Sequence, residues 1–495
     1  MKILVIAPYA VHTPHFETDL EITQNHLDQG DQLILLRCNA ELLTCSVNRG
    51  HDIATCLTCL AKRSAGMKLL SGRIIEKPMY FLRKENREEI ARVKKDFSSL
   101  EDLKYFKIEN YDIGSEILSS LISCTRNPEP DLGKYKDEIA RNLLSCLAVY
   151  RSIQNYLNYY NPDKVYVFNG RFAPLRAALR ACQNQGIEIL VHERGNNLNF
   201  YSLYKNTTPH DISYINKEIE KAWESNRDHS DRNKIASDFF IDKRKGIEKS
   251  WFSFTREQIK DLLPPNLDGN KINIMIYNSS EDEFAAIGDE WKNPIFVDQH
   301  DEIANIVHSM MGNKNVHVYL RIHPNLKNVR YKQLDKIYSL HAPNFTIIPP
   351  ESPISSYALL EKASKVVTFG STVGVEAAYW GIPSILAGQS YYRNLGCTYN
   401  PNSHEELIEM LLTDLPPKDK EGALKYGYFF NTFGIRFQHF EPDGLFSGSF
   451  KGTVLNENPL SRLIIIMLRI AFPLNKFFGK ISMYFNIYKI KPFHS

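Results

Sequence analysis

Short apolar, β-branched runs alternate with stretches of helical period along most of this chain, in two separate blocks. The first block holds KILVIAP (2–8), QLILLRC (32–38), KVYVFNG (164–170) and IEILVHE (187–193). The second holds KINIMIYNS (271–279), VHVYLRIHP (316–324), NFTIIPP (344–350), KVVTFG (365–370) and PSILAG (383–388). Continuous apolar strands separated by helices predict parallel sheets covered on both faces. Residues 70–160 interrupt the first block. There KENREEIARVKKDF (84–97) reads as a solvated helix and DEIARNLLSCLAVYRSIQNYLNYY (137–160) as a longer amphipathic one. LLPPNLDGN (262–270) carries two prolines and turn residues and is the expected hinge.

The expected architecture is α/β, with two Rossmann-like domains facing a cleft. The amino-terminal domain spans 1–265 with a helical insertion at about 70–160, and the carboxyl-terminal domain spans 266–420. Return helices and a basic amphipathic tail fill 421–495. In such sheets ligands sit beyond the carboxyl ends of the strands, at the switch point of the strand order. Chemistry is therefore sought just after the apolar runs.

The most informative stretch is KVVTFGSTVGVEAAYWGIPSIL (365–386). A buried strand ends at Gly370, and Ser371, Thr372 and Gly374 turn into a helix. Small residues let backbone N–H groups approach an anion such as a pyrophosphate, and Glu376 can accept from ribose hydroxyls. The bland alternative is an ordinary strand–helix turn capped by Ser371 or Thr372. VHVYLRIHPN ends another strand in Arg321, His323, Pro324 and Asn325, where the proline stops the strand and leaves an imidazole to donate to a phosphate oxygen. Arg393, in YYRNLG (391–396), either neutralises a diphosphate or forms a surface ion pair.

The RxHP strand end followed by GSTVGVEAxxxGxPSI resembles the carboxyl half of GT-B glycosyltransferases of the capsular polysaccharide biosynthesis type. SSYALLEKASKVV (355–367) and YGYFFNTFGIRFQHF (426–440) extend the resemblance over roughly 270–450. It implies a nucleotide-sugar donor held by His323, Ser371, Thr372 and Glu376, with no catalytic divalent metal. The implied reaction moves a sugar onto a growing surface glycan, of capsular or lipopolysaccharide type, or onto a lipid-linked acceptor. A nucleotide-sugar epimerase, a polyol-phosphate polymer transferase and a non-catalytic assembly subunit are the alternatives on the same scaffold.

In NSSEDEFAAIGDEW (278–291), Ser279, Ser280, Glu283, Asp289 and Glu290 either face a ligand or form a solvated helix start, and Glu283 and Asp289 are acid–base candidates. On the acceptor side, APYAVHTPHFETDLE (7–21) places His12, His15 and Glu17 after the first strand. His15 is the expected base for the acceptor hydroxyl, oriented by Glu17 or Asp19; Glu193 is the second choice. Asn169, Arg171, His192 and Arg194 also follow strands and are expected at the ligand.

Half of the eight cysteines fall in one segment, Cys38, Cys45, Cys56 and Cys59, with His51 between and a closing C-x2-C pair. The spacing suits a structural Zn²⁺ held by the four thiolates, or by three and His51. An iron–sulfur cluster uses the same ligands, and buried reduced thiols are the bland alternative.

Composition narrows the rest. With 24% charged and 43% hydrophobic residues the chain is globular, and a net charge of +3, with no basic block interleaved with aromatics in the main body, does not suggest a nucleic-acid partner. That total conceals an asymmetry. Six of the 60 Lys/Arg (Arg462, Arg469, Lys476, Lys480, Lys489 and Lys491) fall in 458–495, which has no Asp or Glu, so the tail carries +6 and the remainder −3. Arg462, Arg469, Lys476 and Lys480 recur along a predicted helix broken near Pro473. Such a helix lies in the headgroup region of an anionic leaflet or packs against protein. No run of 18 apolar residues is present and the N-terminus does not read as a signal peptide. The expected location is cytoplasmic, peripheral on the inner face of the plasma membrane.

Overall fold

The computed structural model describes residues 1–226, 228–249, 251–456 and 459–490. They form two compact units, each built on its own twisted sheet. Unit 1 comprises residues 1–125, 129–209 and the chain from Gly434 onward; unit 2 comprises Arg126–Pro128 and His210–Phe433.

Unit 1 carries β1 (Lys2–Ile6), β2 (Gln32–Arg37), β3 (Ile74–Pro78), β4 (Lys164–Phe168), β5 (Glu188–Arg194) and β6 (Phe200–Lys205). Their order is β6-β5-β4-β1-β2-β3, with β6 antiparallel and the rest parallel. Unit 2 carries β7 (Ile272–Tyr277), β8 (Val316–Arg321), β9 (Phe345–Ile348), β10 (Lys365–Thr368) and β11 (Ser384–Leu386), all parallel, in the order β11-β10-β7-β8-β9. Counted from each unit's first strand, unit 1 reads 3-2-1-4-5-6 and unit 2 reads 3-2-1-4-5. That is the doubly wound Rossmann order, whose switch points fall between β1 and β4 and between β7 and β10. The strands are continuous apolar runs because helices bury both faces. Every residue of β8 and β10 is buried, and the flanking Ile303, Ile306, Leu334 and Leu407 close the core of unit 2.

Three features depart from the expected layout. The segment assigned to a helical insertion begins with β3, an edge strand whose alternating charge hides it. Beyond β3 the helices Lys84–Arg92 and Lys136–Tyr160 are present. Residues 210–265 belong to unit 2 rather than to the first domain, and the chain re-enters unit 1 at Gly434 rather than near 420. The reason is packing. Helices Ile212–Ser225 and His229–Arg244 lie against Glu421–Thr432, with Phe240 stacked on Tyr379 at 4.1 Å and Trp223 and Ala236 buried with Tyr428. The proline-rich 262–270 is no hinge: the Ile259 amide donates to Pro353 O, and Leu262 O accepts the Ser355 amide, within unit 2.

After Gly434, β12 (Ile435–Arg436) extends the unit 1 sheet beside β6, and β13 (Phe440–Gly444) and β14 (Ser447–Phe450) form a hairpin. The tail then folds as helices Pro459–Ile470 and Phe472–Ile490, broken at Ala471 beside the expected Pro473. Lys491, part of the basic count, lies outside the described residues. Among the described residues no helix is long and apolar enough to cross a membrane.

Candidate functional site

The switch point of unit 2 brings three strand ends together. β7 runs into Asn278-Ser279-Ser280, β8 into Ile322-His323-Pro324 and β10 into Phe369-Gly370-Ser371. Asn278 Oδ1 accepts the His323 amide at 2.8 Å. On its other side, a Cβ built on Gly370 would stand 3.4 Å from Ser279 Oγ and 2.8 Å from Gln389 O, at φ +142°, a conformation that favours glycine. The β7 loop thus links His323 to the glycine turn. Ser279 Oγ is buried and makes no hydrogen bond.

His323 has a defined tautomer. The Asn325 amide donates to its Nδ1 at 3.1 Å, so a neutral ring carries its proton on Nε2. Burial, aided by Arg126 and Arg321 against the opposing Asp282, lowers its pKa to about 4. At neutral pH the group is therefore an uncharged Nε2–H donor, and its Nε2 has no partner among the described residues. Beside it, Arg126 pairs with Asp282 at 2.5 Å and donates to Ser280 Oγ and Asn325 O. Glu283 accepts from Asn325 Nδ2 at 2.7 Å, whereas Asp289 pairs with Lys292 on the surface.

The turn after β10 differs in detail from expectation. The helix Val373–Tyr379 has only seven residues and Thr372 makes no side-chain cap, so a helix dipole contributes little. What the turn offers is two amides, Ser371 N and Thr372 N, that donate to no acceptor among the described residues. Gly374 packs against Tyr392, whose Oη donates to Ser371 O at 2.6 Å and fixes the bend. Glu376 is buried, with Oε1 accepting from Thr372 Oγ1 (3.0 Å) and Lys243 Nζ (3.3 Å) and Oε2 from Tyr357 Oη (2.5 Å). It is more fully engaged than a free ribose acceptor would be. Lys243, which also donates to Thr372 at 3.0 Å, and Tyr357 come from distant segments and left no local trace in the sequence.

Two expected donor contacts turn inward. Arg321 is 3% exposed and donates to Pro349 O and Ser352 O, tying β8 to the loop after β9. Arg393 Nη1 donates to Leu386 O and Gly388 O and props the loop after β11. In both cases backbone carbonyls at strand ends supply the acceptors that an anion was expected to provide.

Unit 1 has a second polar cluster at its own switch point. His15 opens the helix His15–Asp28 after β1, its ring centroid 4.0 Å from that of Phe168 at the end of β4 and the planes tilted by 35°. Its Nδ1 lies 3.8 Å from Glu193 Oε1 at the end of β5. The two rival bases are therefore neighbours. Burial, followed by His192, Arg194, His12 and Lys62, holds the His15 pKa well below the ordinary histidine value. Burial raises Glu193 despite bonds from Asn169 Nδ2 (2.8 Å) and the Arg194 amide (2.9 Å). In both groups burial thus works against the charged form.

The expected orienting acids face elsewhere. Glu17 pairs with Lys62 at 2.7 Å and accepts from Thr13, and Asp19 bonds the fully buried His192 at 2.8 Å. His192 and Arg171, which donates to Ser119, are core groups rather than ligand contacts. A buried strand end needs its polar groups satisfied, and these residues satisfy one another.

Cys38, Cys45, Cys56, Cys59 and His51 line one cavity of unit 1, but they do not form the expected metal set. No three of their ligand atoms lie within 4.8 Å of one another, whereas tetrahedral zinc needs thiolates roughly 4 Å apart or less. The donors are already occupied. Cys59 Sγ accepts the Ala10 amide and Cys56 Sγ accepts Asn48 Nδ2, each at 3.2 Å, and His51 Nε2 meets Leu43 O at 2.7 Å. Burial raises Cys38 and Cys45 and pushes Cys56 up to about 11, which keeps them as thiols. The group of described residues that does gather ligand atoms within 4.8 Å is Glu281, Asp298 and His300, in unit 2. Its members pair with one another, His300 Nδ1 lying 3.3 Å from Glu281 and 3.5 Å from Asp298.

No described protein family matches the chain, and no curated protein does. Among solved structures it is similar to the beta Kdo 2,4 transferase KpsC of Thermosulfurimonas dismutans, at 14% identity over 54% of this chain and 79% of that one, with a TM-score of 0.37. It is also similar to MurG of Acinetobacter baumannii, at 10% identity, 94% and 99% coverage and a TM-score of 0.27. A UDP-N-acetylglucosamine 2-epimerase from Listeria monocytogenes, described as putative, aligns at 13% identity, 88% and 92% coverage and a TM-score of 0.25. The doubly wound assignment rests on the strand order of this chain itself.

Proposed function

We propose that the protein transfers a sugar from a nucleotide-sugar donor to a growing surface glycan, with unit 2 holding the donor and unit 1 supplying the base. The observation that carries this reading is the neutral Nε2–H donor of His323, held by Asn325 and Asn278 at the switch point that also bears the unpaired Ser371 and Thr372 amides. Uncharged donors converging on one edge suit the oxygens of a diphosphate leaving group. Glu376, braced by Lys243 and Tyr357, positions the turn and presents its one remaining lone pair, on Oε2, to a ribose.

In the reaction, the acceptor hydroxyl gives its proton to His15, with Glu193 beside it to balance the imidazolium that forms. The acceptor oxygen bonds to the anomeric carbon as the bond from that carbon to the phosphate oxygen breaks. The electron pair leaves with the nucleotide, where His323 and the turn amides stabilise it. No step requires a protein-bound metal. We place the enzyme peripherally on an inner, anionic membrane face, where a lipid-linked glycan is presented.

The test is incubation with UDP-, GDP-, CMP- and dTDP-sugars, with and without glycan acceptor. Transfer to the acceptor supports the proposal. A new nucleotide sugar formed without acceptor replaces it with epimerisation, and absence of both activities across the panel refutes it.

A further inference from the structure

The second tail helix turns polar and small residues inward. On Phe472–Ile490 the side facing unit 1 carries Asn475 (1% exposed), Gly479 and Asn486 (3% exposed), at steps of four and seven. Asn475 accepts the Ala54 amide and donates to Asp52, Asn486 donates to Ala40 O, and Gly479 packs directly on His51 O. Thus the polar and small residues fix the helix to the cysteine-bearing segment. Ile490 at its end, and Ile465 on the preceding helix, are buried, but most of the large apolar residues of the two helices point the other way.

Between Leu463 and Phe485, eleven large apolar side chains stand more than a third exposed. Ile470 at 80% and Phe485 at 63% are the most exposed, and Met467, Leu474, Phe477 and Phe478 stand 47–57% exposed. An ordinary surface helix has the opposite polarity, and so contiguous an exposed patch marks a surface that something else covers. The helices cannot cross a bilayer, since none is long and apolar enough.

We infer that this face is an interfacial platform for an anionic lipid bilayer. Charge selects the occupant. Arg462, Arg469, Lys476 and Lys480 are all exposed among the apolar groups, and 458–495 contains no acidic residue. A second copy of the same face would bring these cations together without counter-charges, whereas anionic headgroups neutralise them while the aromatic groups enter the acyl boundary. Because Asn475, Gly479 and Asn486 hold the second helix on unit 1, the face is preformed rather than ordered by lipid. The inference supplies the physical basis for the membrane placement proposed above and does not depend on the transferase chemistry.

The full chain is sedimented with vesicles of phosphatidylglycerol mixed with phosphatidylcholine, and with phosphatidylcholine alone. The expected result is partition at least about tenfold stronger on the anionic vesicles, weakening with added salt. Changing Phe477, Phe478 and Phe485 together to Ser should cut that partition by about tenfold or more while thermal melting is retained. Changing Arg462, Arg469, Lys476 and Lys480 to Gln should abolish the preference for anionic lipid. The inference is overturned if the native chain stays in the supernatant with anionic vesicles. It is equally overturned if the Phe→Ser protein binds lipid as before, or if the native chain is a dimer that the Phe→Ser change dissociates without altering lipid binding. The vesicle assay uses no sugar, so its failure leaves the donor site standing, and a failed transfer assay leaves the platform standing.

Discussion

Replacing His300 with glutamine should make the stability of unit 2 less dependent on pH, by an amount the structure supplies. His300 is wholly buried, with Nδ1 between Glu281 and Asp298 and Nε2 at 3.1 Å from Tyr331 Oη. Burial alone would lower its pKa, but its bonds to Asp298 and Glu281 prevail and raise it to about 9. The distance from an ordinary histidine near 6.5 corresponds to about 3 kcal/mol, an upper figure for one ion-paired group. Because the folded value is raised, this stabilisation is complete below about pH 6.5 and disappears as pH climbs through about 9. His300→Gln should therefore melt below the native protein at pH 6.5, by about 6–12 °C if the full figure applies to a unit of this size. At pH 10 the two should converge. Thermal denaturation of both proteins across pH 6 to 10 reads the difference directly, and titrations common to both cancel. A gap of the same size at pH 6.5 and pH 10 would refute the ion-pair reasoning and leave only a packing role for the ring.

Other expectations follow from the two polar clusters and the thiols. Gly374→Ala places a Cβ 2.4 Å from Tyr392 Oη and 2.6 Å from Thr368 Oγ1, so it should destabilise by about 1–3 kcal/mol and weaken nucleotide binding, both measurable by thermal shift. His15→Asn should lower kcat by about a hundredfold or more with donor affinity unchanged; equal loss of both would place His15 at the donor instead. With the His15 pKa held below the ordinary value, the acid limb of the native kcat profile should lie below pH 6.5. For the cysteines, chelator should leave the melting temperature unchanged, and Cys38, Cys45 and Cys56 should label slowly at neutral pH; stoichiometric zinc by elemental analysis would contradict the thiol assignment.

The legible strands, β1, β2, β4, β5 and β7–β11, announce themselves as short apolar runs; most are buried along nearly their whole length, although β9 is a half-buried edge strand. β3 and β6 escaped because Glu76 and Lys77 interrupt the one, and Ser202 and Lys205 break the apolar run of FYSLYK in the other. His323 and Ser371–Gly374 were legible for a chemical reason, since a proline or glycine directly after a buried strand places a polar group at the ligand edge. The partners of those groups were not. Lys243, Tyr357 and Arg126 reach unit 2's edge from segments remote in sequence, and no local pattern marks them. Arg321 and His192 show the converse, because a strand-end polar group satisfied by a neighbouring carbonyl or carboxylate looks the same in sequence as one waiting for substrate. In the tail, the basic stripe was readable, but the inward face of Asn475, Gly479 and Asn486 was visible only once its partners were in place.

Calorimetric titration of the native protein and of His323→Ala with UDP, GDP, CMP and dTDP tests the central claim most directly. The account predicts that at least one of these nucleotides binds the native chain and that the substitution weakens it by about tenfold, the worth of one well-placed hydrogen bond to a charged oxygen, with the melting temperature of the free protein little changed. Equal affinity in both proteins, or binding of none of the four, would contradict it.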